Sequence, residues 1–309
     1  MTRSVAIIAN SRLQSGRKHQ QIRSIADALS SAGVAVSVFF TQTSSAGTQA
    51  ARDNAHSVDL IVAVGGDGTV NSVVQGMLEG AATLAIVAAG TGNDAARFLG
   101  HPRLRNRNAA AWLLSALNRD EDAIPASKNR VIDVGQAEFG DGSKGVFLTV
   151  LSTGFDTLVN ERAHRLRKVP GAIRYVLSTL IELPQCTSSP YVVQDPEHHI
   201  ATEALLVAVG NSSLYGRGMR ICPEASVFDG ELDITIIGSV SRRTLVRLFP
   251  LVFSGKHMRD SRVTGLRSSV ITISGPSFVC YADGERMGPL PATVTVLPEA
   301  LRVAPAFTA

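Results

Sequence analysis

Short runs of consecutive apolar residues alternate, in the first part of the chain, with stretches whose apolar positions recur every third or fourth residue. Leu60 to Val64 has the pattern of a strand covered on both faces, Val5 to Ala9 reads as a buried strand, and Val34 to Phe40 and Thr83 to Val87 as two more strands. Between them Ile22, Ile25 and Leu29 share a helical face that ends near Gly33, a C-cap residue. Ala46 to His56 reads as a second helix. Val70, Val73, Val74, Met77 and Leu78 fall at i, i+3, i+4, i+7 and i+8, one face of a third. A short helix through Leu99 and another from Ala109 to Leu117 follow. Repeated strand–helix units predict a doubly wound, mostly parallel sheet with helices on both faces and ligands at the C-terminal ends of its strands. The segments at Asn10, Thr41, Gly65 and Gly90 all fall at that edge.

After Pro125 the pattern changes. Arg130 to Val134 and Gly145 to Leu151, on either side of an Asp141-Gly142 turn, predict a hairpin. Asp156 to Lys168 and Ala172 to Leu183 read as helices, broken by Pro170-Gly171. From Tyr191 onward short β segments dominate: Ala204 to Val209, Leu232 to Ile237, Val270 to Ile273, Phe278 to Tyr281, Ala292 to Leu297 and Leu301 to Val303. One helix is expected between Arg242 and Phe253. The division is therefore an α/β domain over 1–125, with 298–309 as a possible completion, and a mainly antiparallel β-sandwich with inserted helices over 126–297.

Composition narrows the function classes. With 309 residues, 45% hydrophobic and 18% charged, the chain has material for two cores and is not disordered. A net charge of +4 suits anionic ligands or an anionic membrane surface. Aromatic residues make up only 5% and no basic run is interleaved with them, so nucleic acid is not an expected partner. Cys186, Cys222 and Cys280 are few, odd in number and far apart, the usage of reduced thiols in a cytosolic protein. No apolar run is long enough for a signal peptide or a membrane span. The protein is expected to be cytoplasmic, or at most peripheral to a membrane, and a homodimer is possible.

The candidate chemistry lies in two glycine turns. Gly65-Gly66-Asp67-Gly68-Thr69 joins the third strand to its helix, and Gly90-Thr91-Gly92-Asn93-Asp94 follows the fourth strand. Glycines let backbone approach a ligand, and a helix start offers N–H donors to an anion. That start contributes roughly 0.3–1 kcal/mol, at best about 2, too little to hold a triphosphate. Asp67 would repel phosphate unless a divalent cation lay between them, so Mg²⁺ is expected with the nucleotide. Neither turn has the Walker Gly-Lys-Ser/Thr spacing. The second fits Gly-x-Gly-x-x-Ala, yet no acidic residue follows about 20 positions on. A single such turn is most often a plain tight connection; two together, each with Asp and Thr or Asn, point to a phosphate site. The seven histidines show no ligand spacing, and His198-His199 reads as a turn beside Pro196. No Gly-x-Ser-x-Gly elbow is present, which excludes the usual serine hydrolase.

These motifs resemble those of the diacylglycerol kinase and sphingosine kinase superfamily. The similarity continues through Lys168-Val169-Pro170-Gly171 to Leu183, Val209-Gly210-Asn211-Ser212 with Met219 to Pro223, Asp229-Gly230-Glu231-Leu232-Asp233, and the terminal Asp283-Gly284-Glu285. It is nearest to the bacterial soluble lipid kinases, whose N-terminal domain is NAD-kinase-like. The resemblance implies an ATP-dependent lipid kinase, most simply one making phosphatidic acid from diacylglycerol for phospholipid biosynthesis. By the same resemblance Asn10, Gly16, Arg17, Thr41, Gly65, Gly66, Asp67, Gly68, Thr69, Asn71, Thr91, Asn93 and Asp94 would hold the nucleotide, and Asp67, Asp94 and Asp133 would join the Mg²⁺ and water network. Glu285 would be the general base, facing Asp67 across a cleft between the domains. A second, structural Mg²⁺ would sit on Asp229 with the carbonyls of Ser226 and Glu231. The chain departs from the family at Asn10-Ser11, Arg17, Arg217 and Phe228.

Read without the family, Asp283-Gly284 is a type I′ hairpin turn with Glu285 as a solvated flank. A Glu carboxyl of ordinary pKa, about 4.3, is a weak base towards an alcohol. It can act if the proton leaves late or if burial near another carboxylate raises its pKa. Arg162, Arg165, Arg167, Lys168 and Arg174 form a basic helical region, usually a solvated face; against anionic lipid it would supply about 1 kcal/mol per residue, enough for transient docking. Leu245 to Phe253 reads as core or as the border of a lipid entrance. Other acceptors remain open (a sphingoid base, phosphatidylglycerol, or NAD), as does a nucleotide-responsive module without turnover.

Overall fold

In the computed structural model β1 (Ser4–Asn10) lies between β2 (Ala35–Thr41) and β3 (Leu60–Gly65), with β4 (Thr83–Ala88) beyond β3, all parallel. Residues 3–117, 130–166, 169, 177–178, 181–182, 187–276 and 278–307 are described. They fall into two compact units: Met1–Ile132 with Glu299–Ala309, and Asp133–Pro298.

In the first unit the inner strands β1, β3 and β4 are covered on both faces, every residue from Leu60 to Val64 being at most 1% exposed, whereas the edge strand β2 has no buried residue. One face carries Val5, Ile7, Val62 and Val87 under α1 (Gly16–Ser31) and α5 (Ala109–Leu117), through Ile22, Ile25, Leu29, Trp112 and Leu113. α2 (Ser44–Asn54) and α3 (Asp67–Met77) pack against each other so closely that a Cβ on Gly76 would lie 2.2 Å from the Thr48 carbonyl. The first-unit end of the last strand, β15 (Ala292–Val303), adds a fifth parallel member through Val303 beside Leu84. His101 fastens this end: its Nδ1 accepts the Ile86 N–H at 3.1 Å, which leaves Nε2 to donate to the Ala304 carbonyl at 2.8 Å. The register aligns Asn10 with Thr41 and Gly65 with Ala88, so these strand ends share one edge.

The second unit is antiparallel. β5 (Arg130–Phe139) and β6 (Lys144–Phe147) pair as the expected hairpin, but the segment read as its second limb divides, and its end belongs to β7 (Val150–Gly154). β8 (Ser189–Gln194) and β9 (His199–Gly210) meet at a tip where the Asp195 carboxylate accepts the Glu197 and His198 N–H groups, so His198 serves a turn. β9 continues between β7 and β10 (Leu232–Gly238), and β10 is flanked by β11 (Val263–Ser268). β12 (Val270–Ser274), β13 (Val279–Ala282) and β14 (Glu285–Pro289) complete the unit with the first part of β15. Alternation along β9 sends Val207 and Val209 into one core and Leu206 and Ala208 into another, under α6 (Phe155–Arg165) and α7 (Arg242–Val252).

Two expectations change here. Ala292 to Leu297 and Leu301 to Val303 are one strand, which passes Pro298 with Glu299 at φ +48°. β11 was not foreseen, because Val263 is its only buried residue and it shows no apolar alternation. Pro170-Gly171, most of Ala172 to Leu183, Arg167, Lys168, Arg174 and Cys186 lie outside the described residues. Cys222 and Cys280 are buried free thiols, each pushed up to about 12 by burial.

His257, fully buried behind α7 with Nε2 3.0 Å from the Ile221 carbonyl, is held below its ordinary pKa by burial. The unfolded chain therefore binds the extra proton first as pH falls. This group's stability is present above about pH 6.5 and is lost below it. Denaturant unfolding between about pH 7 and pH 5 is expected to show a decline that is shallower in His257→Gln, with an unchanged slope counting against the assignment.

Candidate functional site

Both glycine turns are shorter than the sequence suggests, because helix begins earlier. α3 starts at Asp67, immediately after Gly66, and α4 (Asp94–Leu99) starts after Asn93, which is left-handed at φ +59°. Each turn thus places an aspartate at the first helical position, where the helix dipole favours negative charge. Asn93 closes its own turn, donating from Nδ2 to the Gly90 carbonyl and accepting the Gly90 N–H at Oδ1, both at 2.9 Å.

Asp67 joins the two turns. Its Oδ2 accepts the Asn93 N–H at 2.7 Å, and its Oδ1 accepts those of Asp94 at 2.8 Å and Ala95 at 3.4 Å. The turns also touch through backbone: a Cβ on Gly90 would lie 2.4 Å from the Gly66 Cα, and one on Gly92 would lie 2.5 Å from Asp67 Oδ2. Glycine is required at both positions by this approach. Of the two helix starts, that of α4 is therefore already served by protein.

The remaining first-unit residues gather at the same edge. The Asn10 side chain accepts the Arg12 N–H at 3.0 Å and starts a short 3-10 turn, after which Gly16, at φ +66°, opens α1 with Arg17 in its first turn. Thr41 Oγ1 donates to the Ala9 carbonyl at 3.4 Å. Gly68 lies in the first turn of α3, and Thr69 packs over Gly65, whose Cβ would collide with its side chain. Asn71, buried on α3, accepts from Gln75 at 2.8 Å. Thr91 lies between the two glycines of the second turn.

Two cations were missed. Lys18 Nζ donates to the Ala89 carbonyl at 3.1 Å, so a residue one beyond Arg17 reaches the second turn. Arg97 pairs with Asp94 Oδ1 at 2.9 Å and also reaches the Gly92 carbonyl at 3.4 Å. Its position three residues after Asp94 was the available signal. A cavity of about 360 Å³ lies elsewhere in the unit, at the strand starts around Ser4, Asp59 and Thr83, and holds none of these residues.

Asp133 and Glu285 belong to the second unit. Asp133, 2% exposed, accepts the Gly230 N–H at Oδ2 (2.8 Å), and its own N–H donates to the Val227 carbonyl. It therefore braces the Ser226–Glu231 loop. Asp283 and Gly284, at φ +52° and +80°, make the two-residue turn between β13 and β14, with Ala282 paired to Glu285. The Asp283 carboxylate is buried and accepts Leu148 N–H, Thr149 N–H and Thr149 Oγ1 at 2.5–3.0 Å. Glu285, two positions on across the turn, is half-buried and inherits a fixed backbone.

A structural cation was expected on Asp229 with Ser226 and Glu231. Arg267 already meets these carboxylates: its Nη2 lies 2.5 Å from Asp229 Oδ2 and 3.0 Å from Glu231 Oε2, and its Nε is 3.6 Å from Asp233 Oδ2. Asp229 Oδ1 accepts the Glu231 N–H, and the Ser226 hydroxyl accepts the Phe228 N–H. A guanidinium thus supplies positive charge beside the Asp229 carboxylate in this structure. Burial, opposed by Arg267 and aided by Asp229, Glu224 and Glu231, pushes Asp233 up to about 6. In the first unit, Asp67 and Asp94 carboxylate oxygens stand 2.5 and 3.7 Å from the Cβ position that Gly92 leaves empty, with the other Asp94 oxygen paired to Arg97. Two hard oxygen donors beside a backbone cradle fit a divalent cation carrying phosphate.

Residues 4–126 match the diacylglycerol kinase catalytic domain, and residues 149–305 match the YegS C-terminal NAD kinase beta sandwich-like domain. The chain belongs to the diacylglycerol kinase family. Among its relatives, a diacylglycerol kinase of Mycobacterium tuberculosis is 38% identical over 81% of this chain and 77% of its own. A candidate YegS-like lipid kinase of Klebsiella pneumoniae is 28% identical over 80% and 77%. The fold matches a crystal structure of a candidate diacylglycerol kinase from Bacillus anthracis at a TM-score of 0.76, with 25% identity over 97% and 96% of the two chains. The protein is thus a lipid kinase of the bacterial type, with an α/β first unit and an antiparallel sandwich second unit. Among the described residues no helix is long and apolar enough to cross a membrane.

Proposed function

We propose that this lipid kinase transfers the γ-phosphate of ATP to a lipid hydroxyl, most simply that of diacylglycerol, giving phosphatidic acid. The observation that carries the reading is the pair of glycine turns fastened by Asp67, in a chain 38% identical to a protein named diacylglycerol kinase. The first unit is the nucleotide domain and the second the lipid domain. Phosphoryl transfer asks for positioning and charge neutralisation more than covalent help. The N-terminus of α3 and the backbone of Gly65, Gly66 and Gly68 cradle phosphate oxygens, while Lys18, Arg97 and Arg17 bring positive charge to the same edge. Asn10, Thr41, Thr69, Asn71 and Thr91 border the rest of the nucleotide. Asp67 and Asp94 would hold Mg²⁺, which when bound neutralises charge developing on the transferred group. Glu285 takes the proton from the attacking hydroxyl, and Asp133 acts from further back by holding the loop of Gly230.

Radiolabelled ATP supplied with diacylglycerol, a sphingoid base, phosphatidylglycerol or NAD tests the reading directly. Label is expected in phosphatidic acid at a rate at least about tenfold above the other acceptors, a margin of roughly 1.4 kcal/mol in transition-state binding. Transfer to NAD alone, or to none, would overturn it.

A further inference from the structure

The second unit carries an exposed face that the catalytic reading does not use. α7 buries Leu245 and Val252 in the core shared with β9, β10 and α6, and Leu248 is buried too, while Val246, Leu251 and Phe253 remain 53%, 37% and 48% exposed. These are three of the six large apolar side chains exposed among the described residues, within eight positions of one another. The Phe253 ring is set edge-on against Phe249 at 5.9 Å, so it stands on a packed neighbour. Exposed cations surround it: Arg242, Arg243 and Arg247 on the helix, Lys256 and Arg259 in the turn that follows. From Ile234 to Arg259 the chain has no acidic residue.

We propose that α7 and the turn to Arg259 dock the protein on an anionic lipid surface, with Val246, Leu251 and Phe253 entering the headgroup boundary and the arginines and lysine lying among the headgroups. At about 100° per residue Val246 and Phe253 share one side of the exposed face and Leu251 the other, with Arg243 and Arg247 between them, and such an interleaving of apolar and cationic side chains suits the headgroup boundary of an anionic lipid surface. The charge also argues against a second copy as occupant: a two-fold contact through this face would oppose like charges, with no acidic group on the segment to relieve them. The proposal rests on the lipid-kinase reading for its purpose, since the acceptor is membrane-resident. In the earlier basic stretch, Arg162 is already paired with the buried Glu182 at 2.5 Å.

The full-length protein is sedimented, without ATP, with phosphatidylcholine vesicles containing or lacking phosphatidylserine. Turnover on micelle-dispersed short-chain diacylglycerol and the melting temperature are measured alongside. Arg243→Gln/Arg247→Gln is expected to lose about 25-fold in binding to the anionic vesicles, roughly fivefold per cation, with melting and micellar turnover kept. Phe253→Ser should remove the part of binding that survives high salt. Wild-type binding in both variants would overturn the proposal. So would gel filtration showing a dimer that Phe253→Ser splits while vesicle binding is unchanged. Vesicle binding by a protein inactive on every acceptor would leave the docking intact and reject the kinase reading, so the two failures are separable.

Discussion

Glu285→Gln is expected to lower turnover by about 100- to 10,000-fold while leaving ATP binding within a factor of about two, the range that a general base contributes. The substitution keeps the shape of the side chain while removing its charge and its capacity to accept a proton, and it exchanges one acceptor oxygen for an NH₂ donor. The backbone around it should not change, because the two-residue turn is held by Asp283, whose carboxylate takes three hydrogen bonds from Leu148 and Thr149. That separation makes the variant informative. A loss of kcat with KM for ATP unchanged assigns Glu285 to the chemical step, whereas a parallel loss of folding stability would assign it to the turn. A second comparison sharpens the result. Asp283→Asn leaves the carboxylate of Glu285 in place but puts an amide against the Leu148 and Thr149 donors; it should therefore lower melting temperature and activity together. Near-normal turnover of Glu285→Gln on the preferred acceptor would reject the proton-transfer role.

Much of the fold was legible because its signals are local. The runs at Val5, Leu60 and Thr83 are apolar at every position or nearly so, which only a sheet covered on both faces requires, and their order predicts the parallel strands observed. Gly33 follows α1 at φ +83°, as its place in the sequence suggests. Contacts that span many residues were not legible. Asp67 reads as a carboxylate awaiting a cation, yet its oxygens also accept N–H groups 26 to 28 positions later. Asp229 reads as a metal ligand, and its carboxylate also meets Arg267, 38 positions on. Nothing in local spacing marks such pairs. Pro298 interrupts an alternating pattern and so divides β15 into two predicted strands, although a proline at the point where the chain passes from one unit to the other does not stop the strand. Lys18 was passed over because the familiar loop ends one residue earlier.

Gly90 offers a test that leaves every proposed proton-transfer and cation-holding side chain in place. Gly90→Ala is expected to weaken ATP binding by about 10- to 100-fold, because a displacement of an ångström in a positioning element costs on that order. The added methyl would lie 2.4 Å from the Gly66 Cα and 3.1 Å from its N, atoms of backbone that no rotamer change can clear. The two turns must separate, and Asp67 then loses its reach to the Asn93 and Asp94 N–H groups. Asp67→Asn attacks the same joint from the other side. Its amide keeps one acceptor oxygen and turns an NH₂ towards backbone donors, so at least one buried donor is left unmet, a cost of about 1–3 kcal/mol. If the joint positions the phosphates, both variants should raise the dissociation constant for ATP, measured by calorimetry. Their combination should cost less than the sum of the two, since either alone already parts the turns. Additive losses would mean that Gly90 and Asp67 act independently, and an unaltered ATP affinity in Gly90→Ala would remove the nucleotide from this edge of the sheet.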